Sequence, residues 1–162
     1  MTMKRTIGAL FATLSLVLAV PGSATAAAAT TPAARPRNAA AVGVWTGTVS
    51  FPDGAAEATM SLLANGRVCL IVPPPGPDGG VEGVGIWTST SSSAFTFQVA
   101  ERFFDGAGGT TAFLAALHRA TLNGSTFTST GTGTYFDPQG QPLATFPTTS
   151  QMRRVSTTPQ SC

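Results

Sequence analysis

From residue 43 to the end of the chain, one rhythm limits what this sequence can fold into. Short segments of alternating apolar and small polar residues are cut off, at close spacing, by turn residues. "GVWTGTVSF" (43–51) ends in "PDG", "AEATMSLLA" (56–64) ends at Asn65-Gly66, and "RVCLIV" (67–72) ends in "PPPGPDGG". "VEGVGIWTST" (81–90), "AFTFQVAERFF" (94–104), "TAFLAALHRATL" (111–122), "STFTSTGTGTYF" (125–136) and "PLATFPTTSQMRRV" (142–155) complete the series. β-Branched and aromatic residues between Gly, Pro, Asn and Asp turns predict eight strands. Only 111–122 could be argued as a helix. Its neighbours are strands and a hairpin-type Asn123-Gly124 follows, so a strand is the better reading. Eight consecutive strands with short connections most economically form an all-β, antiparallel up-and-down barrel, closed to remove its edges. An open two-sheet sandwich is the alternative.

The turn at Asn65-Gly66 tests register. A two-residue loop would set Leu62 opposite Cys69 and mix polar with apolar residues on each face. A three-residue loop, Ala64-Asn65-Gly66 with Gly66 left-handed, gathers Ala58, Met60, Leu62, Val68, Leu70 and Val72 on one apolar face. Burial fixes register, so the second arrangement is expected, with Cys69 facing outward beside Ser61.

The N-terminus reads as a targeting segment. Lys4 and Arg5 precede an uncharged apolar stretch, Ile7 to Val20, and small residues at Ala24 and Ala26 follow. That pattern is a secretory signal peptide over 1–26, cleaved after Ala26. The apolar stretch is 14 residues long, against roughly 20 for a bilayer span, which disfavours a membrane anchor. Residues 27–41, "AAATTPAARPRNAAA", have no periodic pattern and read as a flexible leader. The barrel domain is expected over 42–156 and a tail over 157–162. Beyond Arg5 the chain has seven arginines, seven acids and no lysine, so no basic patch points to nucleic acid or an anionic membrane. An extracellular monomer without membrane insertion is the expectation.

Cys69 and Cys162 are the two cysteines. In an exported protein an even pair favours a disulfide, and a tail crossing the outer barrel wall could bring Cys162 to an outward Cys69. The competing arrangement is a buried free Cys69 with a frayed tail.

Two Gly-x-Trp triplets, "GVW" at 43–45 and "GIW" at 85–87, accompany "QMRRV" in the last strand. This arrangement resembles the calycins, especially lipocalin-like barrels. The resemblance implies that Gly43 and Trp45 pack at a closed barrel end, with Arg153 or Arg154 stacked on the indole by a cation–π contact. The usual C-terminal helix of that group is missing. The core segments also resemble small secreted actinobacterial proteins, a likeness that implies no activity.

Chemistry-bearing constellations are sparse. His118 is the sole histidine, and two distant cysteines offer no metal spacing, so neither a metal site nor a cofactor is expected. No nucleophile motif or Ser-His-acid triad can be picked out. Glu101, His118 and Tyr135 are the weak catalytic candidates. Glu101 shares the parity of Phe95, Phe97, Val99 and Phe103. It is either a buried carboxyl with a raised pKa or, as favoured here, a strand-end acid paired with an arginine.

The inner wall is expected to be thin on two strands. One face of 126–136 is a threonine run, Thr126 to Thr134, which suits solvent; the other carries Gly131 and Gly133, and 112–122 is rich in alanine. Such walls leave room for a cavity, unless the large residues opposite, such as Phe95, Phe103 and Met60, fill it. Trp87, Phe97, His118, Gly131, Gly133 and Tyr135 are the expected ligand-contacting residues, with the glycines creating the space. The leading functional expectation is a barrel that binds a small apolar molecule in its lumen. The alternatives are a cofactor-free cyclase or isomerase acting on a natural-product intermediate, and a secreted interaction protein or inhibitor with a filled barrel.

Overall fold

The alternation holds in three dimensions as eight antiparallel strands that pair in sequence order and close on themselves. The computed structural model describes residues 39–162; the expected signal peptide, 1–26, and most of the expected leader lie outside the described residues. The strands are β1 (Gly43–Phe51), β2 (Gly54–Leu62), β3 (Arg67–Leu70), β4 (Gly80–Ser89), β5 (Ala94–Phe104), β6 (Thr110–Asn123), β7 (Thr126–Phe136) and β8 (Pro142–Ser156). Each pairs with the next, and β1 pairs with β8, giving a closed up-and-down barrel. Residues 111–122 belong to a strand, and the sandwich alternative is ruled out.

The β2–β3 turn takes the three-residue form. Leu62 faces Val68 and Met60 faces Leu70, and Gly66 has a φ of 86°, a left-handed conformation that favours glycine. Met60, Leu62 and Val68 are buried as a result. Register followed the apolar face, as burial requires.

Inward positions change character along the barrel axis. At one end Trp45, Leu62, Val68, Trp87, Phe95 and Phe127 are almost fully buried. Phe127 lies at the centre of the rings there: edge-on to Trp45 at 5.0 Å, to Phe95 at 5.2 Å and to Phe97 at 6.2 Å. Such pairs add about 0.5 to 1.5 kcal/mol each beyond the area they bury. A 3-10 turn, Ala39–Ala41, closes this end: the Trp45 indole N–H donates to Ala41 O at 2.9 Å, and Ala41 is buried. These three residues, read in the sequence as the end of a flexible leader, are thus part of the fold. Arg154 lies 4.5 Å over the Trp45 ring and donates to Ala40 O. Of the two arginines the resemblance offered, Arg154 takes the stacking role, since a register shift at Val44/Trp45 brings it opposite the indole.

Toward the other end exposure rises, reaching 37% at Phe51 and 38% at Tyr135. One wall there is incomplete. β3 has four residues and pairs with β4 only over Arg67–Cys69. The chain beyond it contains Pro73, Pro74, Pro75 and Pro77. The ladder with β4 ends at Cys69, and Pro73, which would come opposite Gly80 in that register, has no amide N–H to resume it.

The tail runs back over the outside of β2 and β3. Cys162 is bonded to Cys69 across 93 residues, and the Gln160 amide donates to Ser61 Oγ at 2.8 Å. Cys69 faces away from the lumen, yet tail and neighbours leave it and Ser61 almost no exposure.

Candidate functional site

Between the aromatic end and the open rim lies a cavity of about 350 Å³. The barrel is thus filled at one end and hollow at the other. Its wall is mostly apolar, with Val49, Ala58, Leu70, Val99, Leu114 and Phe146 among the lining residues. Space is left because β2 and β6 present small inward side chains at mid-height, Ala58 opposite Gly47 and Ala116 opposite Val99.

His118 forms part of the cavity floor. Its ring stacks on Phe97, with 4.7 Å between centroids and 3° between planes. Nδ1 is 2.9 Å from Ser129 Oγ, which is 2.6 Å from Ser150 Oγ. His118 and Ser150 both line the cavity, and among the described residues nothing on the protein bonds Nε2. Burial pushes the imidazole pKa below its ordinary value, because the charged form would be stripped of water. The floor therefore offers a ligand a neutral ring nitrogen held at fixed orientation by two serines.

Glu101 lines the cavity nearer the rim. Its stem leans over Gly83 of β4: a Cβ at Gly83 would come within 3.1 Å of Glu101 Cγ and 2.4 Å of Leu70 Cδ1. Among the described residues no cation pairs with it, so the expected arginine partner is absent. The neighbouring Arg102 points to the outer face, where it bonds Glu82 at 2.6 Å. Burial pushes the Glu101 carboxyl pKa upward. Glu101 pairs with Leu114 and His118 with Phe97, four positions apart along both strands. That spacing is about 13 Å, too far for the two groups to act on one proton directly.

Of the residues expected at a ligand, Phe97, His118, Gly133 and Tyr135 line the cavity; Trp87 and Gly131 do not. Trp87 sits lower, in the aromatic end, edge-on to Phe95 at 5.9 Å and donating to Leu63 O at 2.8 Å. Gly131 makes room for a side chain instead of a ligand: a Cβ there would meet His118 Cγ at 2.8 Å and Leu117 O at 2.2 Å. Its bare backbone lets the imidazole lie across β7 and reach Ser129. At Gly133 the neighbouring Phe146 ring occupies part of the space, 2.9 Å from where a Cβ would be. Phe146, Thr148 and Ser150 are lining residues that sequence reasoning missed; their shared parity with Met152 on β8 was the available signal. Among the described residues no group of three His, Cys, Asp or Glu could hold a metal ion.

No family model matches this chain, and no curated protein matches it. A search of solved structures finds a barrel similar in fold, the structure of EF1p2_mFAP2b bound to DFHBI. It is 15% identical, with a TM-score of 0.48, and the match covers 74% of this chain and 98% of that one.

Proposed function

We propose that this protein is an exported, monomeric barrel that takes up one small, largely apolar molecule in its lumen. The observation that carries the reading is the half-hollow interior: about 350 Å³ bounded by apolar side chains with a few polar groups set among them. That is the usual make-up of a ligand pocket. A disulfide linking tail to wall supports an oxidising compartment, hence export. Ala27 is the proposed mature N-terminus, checked by N-terminal sequencing of protein from a culture medium.

The test of binding uses a neutral fluorogenic apolar probe, N-phenyl-1-naphthylamine, whose emission rises in a dry site. Ala116 lies at mid-height between Val99 and Gly133. Ala116→Phe should fill the space and weaken probe binding roughly tenfold or more, about 1.4 kcal/mol, with far-UV circular dichroism unchanged. Equal binding by the variant and the wild type would place the probe outside the lumen and remove the reading.

A further inference from the structure

The charge arrangement around the cavity narrows the class of molecule that fits it, an inference that rests on luminal binding as proposed above. The carboxylic acids at the wall are Glu101 on β5 and, at the rim, Glu57 on β2, whose Oε1 accepts from Thr48 Oγ1 at 2.8 Å. The other titratable groups there are His118 on β6 and Tyr135 on β7. Among the described residues no arginine lines it. Among the described residues Arg67 is beside the disulfide, Arg102 bonds Glu82, Arg154 covers Trp45, and Arg119 and Arg153 are exposed.

A half-buried carboxyl in an apolar wall without a cation is an unresolved electrostatic demand. A ligand carboxylate would make it worse, by placing two like charges in one dry space. A neutral apolar ligand would exclude water and leave the carboxyl unpaired. A ligand cation meets the demand, and the rings nearby favour it too. Phe103 is two positions from Glu101 on the same face of β5, about 7 Å along the strand. Tyr135 lies across Leu114 from Glu101, 6.1 Å from Phe103 and 5.3 Å from Phe146 between ring centroids. Ring faces attract ammonium groups as a carboxylate does.

We propose that the luminal ligand is an organic amine: a compact aromatic or alicyclic body lying toward Phe97 and His118, with its ammonium seated beside Glu101 among Phe103, Tyr135 and Phe146. The burial-raised pKa of Glu101 accords with a carboxyl whose counter-ion is supplied from outside the chain.

Three probes with one bicyclic body separate this proposal from the reading beneath it: 2-naphthylmethylamine, 2-naphthalenemethanol and 2-naphthoate, titrated calorimetrically at neutral pH. The amine should bind roughly tenfold more tightly than the alcohol, with the carboxylate weakest. Glu101→Gln, nearly isosteric, should remove the amine's advantage over the alcohol. In the wild type, acidification should weaken amine binding and spare the alcohol, by protonating Glu101 and charging His118; Glu101→Gln should show the smaller pH response. Equal affinity for all three, or tightest binding of naphthoate, overturns the amine proposal while luminal binding stands. A preference for the amine that survives in Glu101→Gln overturns it as well. Binding of none of the three overturns both.

Discussion

Two residues on the lumen wall carry opposite pH signatures. His118 is held neutral by burial, so its folded pKa lies below the ordinary value of about 6.5. Between those two values the unfolded chain binds more protons, and stability falls as pH falls through that window. Glu101 has the reverse shift: its folded pKa lies above the unfolded one, so its contribution is fully present at low pH and is lost as pH rises through the folded value. Glu101→Gln should therefore raise the Tm at neutral pH and steepen the net loss of Tm on mild acidification. His118→Gln should flatten that loss. Thermal melts of the three proteins between pH 4 and 8 check both signs. Gly131 supplies a third prediction at this scale. Because a Cβ there would strike Leu117 O and the imidazole, Gly131→Ala should cost about 1 to 3 kcal/mol, as overpacking does, read from urea denaturation.

Among the elements, β3 is the shortest strand of the cavity wall. Its ladder with β4 stops at Cys69, four residues before the first proline of the run, and Leu70, Ile71, Val72 and Pro73 line the cavity. Changing Pro73, Pro74 and Pro75 together to Thr, Val and Thr should restore amide donors and let the strand lengthen. Stopped-flow mixing with the neutral probe should then show slower association and dissociation, with little change in Tm. Unchanged rates would place the ligand's route at the rim instead. Strand number and order, the Gly66 turn and the pairing of Leu62 with Val68 were legible in the sequence, because a period of two assigns each residue to a face. The second and third strands end two residues earlier than that reading placed them. Depth along the barrel was not. Trp87 and Phe97 share an inward face and pair directly, yet only Phe97 reaches the cavity, because height is set by stagger across all eight strands. Gly131 was misplaced for the same reason: parity cannot show that the neighbouring His118 ring has taken its space. The missing partner of Glu101 likewise depended on the face Arg102 occupies, which no local pattern linked to Glu82.

For the molecule as a whole, the disulfide ties the C-terminal tail to the outer wall, away from the lumen. A cross-link spanning 93 residues is worth about 4 to 5 kcal/mol in the chain-entropy model. Cys69→Ser with Cys162→Ser should lower stability by up to that amount and leave probe affinity unchanged, checked by urea denaturation and titration. The ring of strands itself has one seam unlike the rest. Seven ladders join neighbours in sequence, whereas β1–β8 joins the two ends. Closing a loop of about a hundred residues gains nothing until the strands between are stacked, so the seam should form last. Until then β1 and β8 are bare edges able to capture strands from other chains. The two tryptophans can time this interval. Trp87 lies on the local β4–β5 ladder, whereas Trp45 meets Arg154 only across the seam. In a refolding experiment on single-tryptophan variants, Trp87 should report assembly of the meander and Trp45 the moment the ring shuts.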